Sequence, residues 1–319
     1  MSYTHSHRLV RGTRRRFLAL GAAVLLLGAC GGSESSTDSV VDSTAESAVV
    51  ADTSAPAITE ALKIVSLSAT ATEMLYAIGA EDQLVAVDSY SNYPAEAEAF
   101  ATRIDATQPS AEAIAALDAD LVLIAYDPGN LETQLKVLDI DVWTGSAATS
   151  FDDSYKQITE LGALTGKSTE AEAVVAAMKS DIEAAFGTIE MPDAQPSYFY
   201  ELDNTFYSVT SNTFVGQIMS KFMLKNIADT AEAGNDYPQL SQEAIISANP
   251  QIIFLADTKC CQQNATTVAA RPGWSSIDAV KNGNIVELDD DIASRWGPRL
   301  VDLVKQVAVA VTNLLASNK

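Results

Sequence analysis

Aromatic and arginine side chains gather at or near the positions where the chain leaves its predicted strands. The aromatic residues are Tyr90, Tyr126, Trp274 and Trp296, and the basic residues are Arg271, Arg295 and Arg299. Aromatic rings offer rigid stacking surfaces, and guanidinium groups offer planar donors for carboxylate or catecholate oxygens. These seven residues predict a binding surface for a small molecule. The alternative is structural, because the arginines could instead neutralise nearby acids such as Asp278, Asp289 and Asp302.

The positions of the two histidines exclude several kinds of catalytic site. Both of them, His5 and His7, fall in the first 29 residues, which we predict to be removed. The mature chain then has no Ser-His-Asp or Cys-His system and no histidine ligand for a metal or heme. Glu201 and Asp203 could form a carboxylate pair, but they alternate along a predicted strand and point to opposite faces. We therefore expect no catalytic residue and no metal site, which makes a secreted carboxylate-dependent hydrolase the weaker alternative.

Cys260 and Cys261 are adjacent, and Cys30 is the third cysteine of the chain. Disulfides persist in oxidising compartments outside the cytoplasm. A disulfide between Cys260 and Cys261 and two separate thiols are both open at this point.

Length and charge limit the class of protein. The 319 residues suit about two domains, and 47% apolar residues indicate a globular chain. The formal net charge is -22, from 20 basic and 42 acidic residues. Such a chain is repelled by a phosphate backbone, so we expect no nucleic-acid partner.

The amino terminus has the pattern of an export signal. Five arginines precede the apolar run Phe17–Ala29, which is too short to span a bilayer. Thr13–Leu18 resembles a twin-arginine signal, and Leu27–Cys30 resembles a bacterial lipobox. We predict a signal peptide at 1–29 and lipidation of Cys30, which would anchor the protein at the extracytoplasmic face of the cell membrane.

Residues 30–60 are predicted to be the anchor cysteine and a disordered tether. Ser, Thr, Ala, Asp and Glu dominate this segment, and few large apolar side chains are available to form a core. A flexible chain of that length reaches on the order of 30 Å.

From Leu62 onwards, short apolar runs alternate with helical periodicity, which is typical of an α/β protein with parallel strands. The predicted strands are Leu62–Leu67, Leu84–Val87, Leu121–Ala125, Val142–Trp143, Ser197–Tyr200, Phe206–Val209, Ile252–Ala256 and Ile285–Leu288. The predicted helices are Ala71–Ile78, Ala111–Leu117, Leu131–Leu138, Thr213–Phe222, Gln242–Ala248 and Leu300–Leu315.

An internal repeat divides these elements into two lobes. Ser110–Ala125 and Ser241–Ala256 align without a gap, each reading as a capped helix, a turn and a buried strand. Between the lobes, Thr169 and Glu172 have capping-box spacing, and a helix from Thr169 to Phe186 would span about 27 Å. We therefore predict an amino-terminal lobe at 61–150, a helical strut at 151–190 and a carboxyl-terminal lobe at 191–319.

Five motifs then resemble one known family, the substrate-binding proteins of ABC importers for ferric siderophores and cobalamin. The motifs are Ile64–Leu75, Val87–Pro94, Asp118–Leu123, Pro238–Ile245 and Ser294–Arg299. The resemblance implies two Rossmann-like α/β lobes with parallel-rich sheets, joined by a long rigid helix, with ligand held in the cleft between them. Ligands of open α/β sheets sit outside the carboxyl ends of strands, where the aromatic and arginine residues lie.

The resemblance also implies a docking acid. A glutamate of this family on the surface of the first lobe pairs with permease arginines, and Glu73 is its expected match. Thr70 and Glu73 also have capping-box spacing, so Glu73 has a helix-starting role as the alternative. The family's counterpart acid in the second lobe is missing from Ser211–Phe214.

The expected function is capture of an iron chelate or corrinoid for delivery to an ABC permease and its ATPase, without catalysis. The arginines favour an anionic ferric siderophore ahead of cobalamin. We expect no resident cofactor, and iron only as part of a bound chelate. The remaining partner would be the lipid bilayer, through the anchor. A purely structural surface protein is the other alternative.

Overall fold

The computed structural model describes residues 61–189 and 195–317. These described residues all belong to one compact unit. The predicted signal peptide, Cys30 and the tether lie outside the described residues.

The first lobe is built on a five-stranded parallel sheet in the order β3-β2-β1-β4-β5. Its strands are β1 (Ile64–Leu67), β2 (Leu84–Asp88), β3 (Arg103–Ile104), β4 (Leu121–Ile124) and β5 (Asp141–Thr144). The central strands β1 and β4 are buried along their whole length. Continuous apolar sequence is what a parallel strand covered on both faces requires.

Short helices return the chain between these strands. They are α1 (Ala69–Ala77), α2 (Ala95–Glu98), α3 (Ala111–Ala115) and α4 (Leu131–Val137). Ser68 caps α1, with its hydroxyl accepting from the backbone N–H of Ala71 at 3.2 Å. The predicted Thr70–Glu73 capping box is therefore wrong. Helix α1 begins two residues earlier than expected, and the Glu73 side chain binds Arg295 and Arg299.

Two helices connect the lobes. They are α5 (Phe151–Thr165) and α6 (Ser168–Gly187), which pack against each other. The long helix was expected, but its predicted capping box at Thr169 is wrong. The N-cap residue is Lys167, and no side chain caps the helix. Packing against α5 and α12 stabilises α6 in place of a cap.

The second lobe contains a four-stranded parallel sheet in the order β7-β6-β8-β9. Its strands are β6 (Ser197–Glu201), β7 (Lys225–Asn226), β8 (Ile252–Leu255) and β9 (Ile285–Glu287). Its helices are α7 (Phe214–Lys221), α8 (Gln242–Ala248), α9 (Ala265–Ala269), α10 (Asp278–Lys281), α11 (Asp290–Ser294) and α12 (Leu300–Ser317).

One predicted strand is absent from this sheet as the structure describes it. Phe206–Val209 forms only an isolated bridge, between Tyr207 and Gln239. Phe206 has φ of 71°, a left-handed conformation that breaks an extended run. The backbone N–H of Leu202 donates to the carbonyl of Tyr207, so the chain turns back directly after β6.

A continuous hydrophobic core runs through both lobes. Buried residues of β1, α1, α5, α6, β6, α7, β8 and α12 belong to one cluster, which explains why the lobes form one unit. Smaller clusters cover the outer faces of the two sheets. Among the described residues, α12 alone is long and apolar enough to cross a membrane. Its apolar side chains pack in the core that the two lobes share.

Candidate binding cleft

A cavity of about 530 Å³ lies between the loop that follows β5 and the second lobe. The second lobe contributes the ends of β6 and β8, the start of α7 and the segment from α11 to α12. The residues that line the cavity include Thr149, Phe214, Tyr237, Arg295 and Trp296. The cavity thus lies at the carboxyl ends of parallel strands, where the sequence predicts a ligand.

Trp296 forms part of the cavity wall and is held by α5. Its indole Nε1 donates to the side-chain oxygen of Gln157 at 2.8 Å, and its carbonyl accepts from the hydroxyl of Ser154 at 2.5 Å. The first hydrogen bond restrains the ring, and the second restrains the backbone that carries it. Trp296 therefore presents a preorganised aromatic face to the cavity.

Arg295 and Arg299 both bind Glu73, which lies on the opposite lobe. An Arg295 amino group lies 2.7 Å from Glu73 Oε1, and Arg299 Nε lies 2.9 Å from Glu73 Oε2. The Glu73 side chain is 1% exposed. The expectation that Glu73 lies on an exposed lobe end is therefore wrong. A carboxylate enclosed by two arginines has no free surface to offer a permease.

Arg295 has further partners on both lobes. It donates to the side-chain oxygen of Asn92, to the carbonyl of Tyr90 and to Asp291. Burial opposes the ionisation of Asp291, but hydrogen bonds from Lys259 and Asn92 hold the pKa of its carboxyl below the usual value. Arg295 lines the cavity with its charge already matched by two carboxylates.

Arg271 and Trp274 lie outside the cavity. Both Arg271 amino groups donate to Glu201, at 2.7 and 2.5 Å, and its guanidinium stacks 4.5 Å from the Trp274 ring centre. Trp274 is 0% exposed, in the cluster behind the second sheet. The prediction that these two residues offer ligand contacts in the cleft is wrong, because they pair with and pack against buried groups of the outer face. The partner of Arg271 is Glu201, whereas the sequence suggested nearby acids such as Asp278, Asp289 and Asp302.

Comparison with known proteins fits this architecture. The family model for "Periplasmic binding protein" matches residues 64–292. The chain belongs to the periplasmic binding protein family.

Curated relatives cover most of this binding protein. It is 32% identical over 307 residues to "Uncharacterized ABC transporter substrate-binding lipoprotein YvrC" of Bacillus subtilis, covering 92% of this chain and 95% of the relative. It is 30% identical over 274 residues to "Cobalamin-binding protein" of Halobacterium salinarum, covering 82% of this chain and 73% of the relative.

Solved structures share the two-lobed α/β fold. The periplasmic vitamin B12 binding protein BtuF of Vibrio cholerae is 25% identical, with a TM-score of 0.64, covering 80% of this chain and 98% of that chain. The heme-binding protein RhuT of Roseiflexus sp. RS-1 is 23% identical, with a TM-score of 0.71, covering 80% of this chain and all of that chain. The second likeness shows the fold alone.

In this binding protein, Tyr90 and Tyr126 follow β2 and β4 and are 60% and 55% exposed. Both rings are therefore accessible at the carboxyl edge of the first sheet. Neither is among the described residues that line the 530 Å³ cavity. Their role in ligand binding stays a prediction.

Cys260 and Cys261 are free thiols in the structure, with their Sγ atoms 2.7 Å apart. Burial and the hydrogen bond with Cys261 raise the pKa of the Cys260 thiol to about 12. The pair lies in the loop that follows β8, where the backbone N–H of Cys260 donates to Asp290.

Sequence reasoning missed Tyr237 and Phe214 as cavity residues. Tyr237 is 57% exposed in the loop before α8, and Phe214 begins α7. Neither belongs to a predicted strand end, and their segments approach the cleft only because the second lobe packs against the loop after β5. No local periodicity marks them.

Sequence reasoning also passed over two exposed acids, although the repeat contains them. Glu112 and Glu243 occupy equivalent repeat positions, each two residues after the serine that caps α3 or α8. Both are exposed. Each helix precedes a strand of its sheet and runs back toward the start of that strand, so its N-terminus lies on the side of the carboxyl ends. The two lobes therefore present one matched acid each.

Proposed function

We propose that this chain, a substrate-binding component of an ABC importer, captures a corrinoid of the cobalamin type in the cavity between its lobes. The proposed role requires neither catalysis nor a resident cofactor. The Halobacterium and Vibrio relatives named for cobalamin or vitamin B12 support this choice of ligand. The siderophore-first expectation rested on free arginines, and the ion pairs described above remove that basis.

Charge matching is the observation that carries the proposal. Arg271 is neutralised by Glu201, while Arg295 and Arg299 are shared among Glu73 and Asp291. Among these, only Arg295 lines the cavity, and the remaining charged lining residues in the part of the chain described are Asp236 and Asp290. An anionic chelate entering this site would meet carboxylates and no unmatched cation. A nearly neutral corrinoid avoids that penalty and can stack on Trp296.

The direct test is a fluorescence titration of the purified full-length protein. Cobalamin, an anionic ferric catecholate siderophore and heme are added separately, and tryptophan quenching is followed. Because Trp296 lines the cavity, quenching by cobalamin should largely disappear in Trp296→Phe. Trp143→Phe is the matched control, since Trp143 does not line the cavity.

Saturable binding of the siderophore with no response to cobalamin would overturn the proposal. Recovery of chemically intact cobalamin after prolonged incubation would support a role without turnover.

An anionic ferric siderophore is the second candidate, and Arg295 is the observation that favours it. This arginine lines the cavity and binds Asp291. A ligand carboxylate or catecholate could replace Asp291 as its partner. Binding of the siderophore would then weaken as ionic strength rises, whereas binding of a neutral corrinoid would not.

Delivery to the permease is proposed to use Glu112 and Glu243. These acids are exposed, lie one on each lobe and occupy equivalent positions in the repeat. Hydrogen bonds from its own backbone and from Ser110 lower the pKa of Glu112, which keeps it charged at neutral pH. Two matched negative charges suit a permease that presents arginines symmetrically about its entrance. This replaces the assignment of docking to Glu73.

A further inference from the structure

Two fully buried carboxyl groups meet where neighbouring strands of the second sheet end. Glu201 is the last residue of β6, and Asp257 lies two residues beyond the end of β8. Each is 0% exposed. The backbone N–H of Ala256 donates to the carbonyl of Glu201, which holds the two strand ends together. The proposed function does not use this pair.

One arginine serves this pair, and its donors are already committed. Arg271 gives both terminal amino groups to Glu201, and one of them also donates to the side-chain oxygen of Gln263. Neither carboxyl oxygen of Asp257 has a hydrogen-bond partner among the described residues when Asp257 is treated as a carboxylate. An ionised, buried and unpartnered carboxylate is among the costliest groups a protein can hold.

A proton removes that cost. A neutral carboxylic acid at Asp257 gains an O–H donor, and the Glu201 carboxyl next to it is a ready acceptor. We propose that Glu201 and Asp257 share one proton and that neutral Asp257 is a positioning residue for the loop 257–264 at the edge of the cleft. The shared proton leaves one negative charge on the pair, which Arg271 matches.

The charged and titratable surroundings agree with this assignment. Burial first, and then the charge and hydrogen bond of Glu201, raise the pKa of Asp257 to about 7. Asp290 on α11 adds to the increase, and Arg271 opposes it. Tyr200 on β6 also faces Asp257, and burial raises its pKa above the usual value, so its hydroxyl stays neutral.

The loop is linked to Asp257 through the backbone and to Glu201 through Arg271. The carbonyl of Asp257 accepts from the N–H groups of Cys261 and Gln263, at 3.2 and 3.3 Å. The Gln263 side chain accepts from Arg271 and donates to the carbonyl of Cys261. Loss of the proton would place a second negative charge beside Glu201, where the donors of Arg271 are already committed. Repulsion would then separate Asp257 from Glu201 and loosen the loop.

Unfolding of the full-length protein across pH tests the shared proton without any ligand. In the unfolded chain Asp257 titrates near its ordinary value of about 4, whereas in the folded protein it holds its proton up to about 7. Between these values the folded state carries one extra proton, so this group's contribution to stability falls as pH rises. Relative to Asp257→Asn, the folding equilibrium constant of the wild type should drop about tenfold between pH 5 and pH 6, and less steeply as the pH approaches 7.

Asn at position 257 keeps a donor for Glu201 at every pH, so Asp257→Asn should be the more stable protein at pH 7.5. Asp105→Asn is the control, because Asp105 is an exposed carboxylate whose pKa is lowered by hydrogen bonds from Thr107. The stability of Asp105→Asn should change with pH in parallel with that of the wild type throughout this range. Parallel stability curves for the wild type and Asp257→Asn would overturn the proposal.

Spectroscopy and hydrogen exchange on the wild type cover the case in which the variant fails to fold. At pH 6 an infrared carbonyl band of a protonated carboxylic acid should be present, and it should vanish with a midpoint near 7. Over the same range the protection factors of the Cys261 and Gln263 amides should fall, while that of Val268 in α9 stays constant. A protein without this band at pH 6, or with constant protection of the loop amides, would contradict the inference.

Discussion

Glu73 and Arg295 lie on opposite lobes of the protein, and their side chains meet at 2.7 Å with 1% and 9% exposure. Arg299 binds the same carboxylate and stacks 4.2 Å from the ring centre of Tyr93. The two lobes are therefore joined beside the cleft by buried charges, in addition to the shared apolar core.

This ion-pair cluster should matter for stability. Glu73→Ala leaves two buried guanidinium groups without their shared partner, and we expect the free energy of unfolding to fall by about 3 to 5 kcal/mol. Urea denaturation measures the change. Glu112→Ala removes an exposed glutamate from a helix start and should lower the free energy of unfolding far less than Glu73→Ala does. A loss for Glu73→Ala no larger than that of this control would show that the cluster is not stabilising.

Ligand charge should be visible in the salt dependence of binding. For a nearly neutral corrinoid, the wild-type Kd should stay the same between low and high salt, because stacking on Trp296 involves no net charge. Isothermal titration at the two salt concentrations checks this. An anionic siderophore held by Arg295 would lose affinity at high salt and about tenfold to a hundredfold in Arg295→Gln. Arg299→Gln, which alters the cluster outside the cavity wall, is the matched comparison for Arg295→Gln.

Docking should depend on the matched acids of the two lobes. Glu112→Lys and Glu243→Lys should each reduce cobalamin uptake by cells, and the double variant should reduce it further, because like charges would face the permease arginines. Affinity for free cobalamin should not change, since neither residue lines the cavity. Glu132→Lys, an exposed acid in the first turn of α4, is a surface-charge control. Normal uptake by the double variant would rule out this docking mode.

Membrane attachment should depend on Cys30. Cys30→Ala removes the predicted lipidation site, so the protein should stay uncleaved or leave the membrane fraction. Fractionation followed by immunoblotting checks the location, and metabolic labelling with a fatty acid checks the modification. Cys261→Ala serves as the cysteine control and should remain labelled. Unchanged membrane retention with normal processing at another site would contradict the prediction.

Local sequence patterns predicted most of the elements for a simple reason. Buried parallel strands need unbroken apolar runs, and Leu121–Ile124 and Ile252–Leu255 have them within one residue of the predicted bounds. The helix Gln242–Ala248 was predicted at both ends, since Ser241 caps it through its own side chain. Phe206–Val209 misled because its apolar pattern does not reveal the left-handed Phe206.

The sequence alone determined the two α/β lobes, their order, the long connecting helix and the family, because these follow from local periodicity, capping residues and contiguous motifs. Only the tertiary structure decided what each charged and aromatic side chain meets. Trp274 and Trp296 were both predicted to contact ligand, yet one is enclosed behind the sheet and the other lines the cavity. Glu73 and Arg295 are 222 residues apart in the chain, and their pairing depends on how the lobes pack. Side-chain partners across such separations are set by long-range packing, which no local pattern encodes.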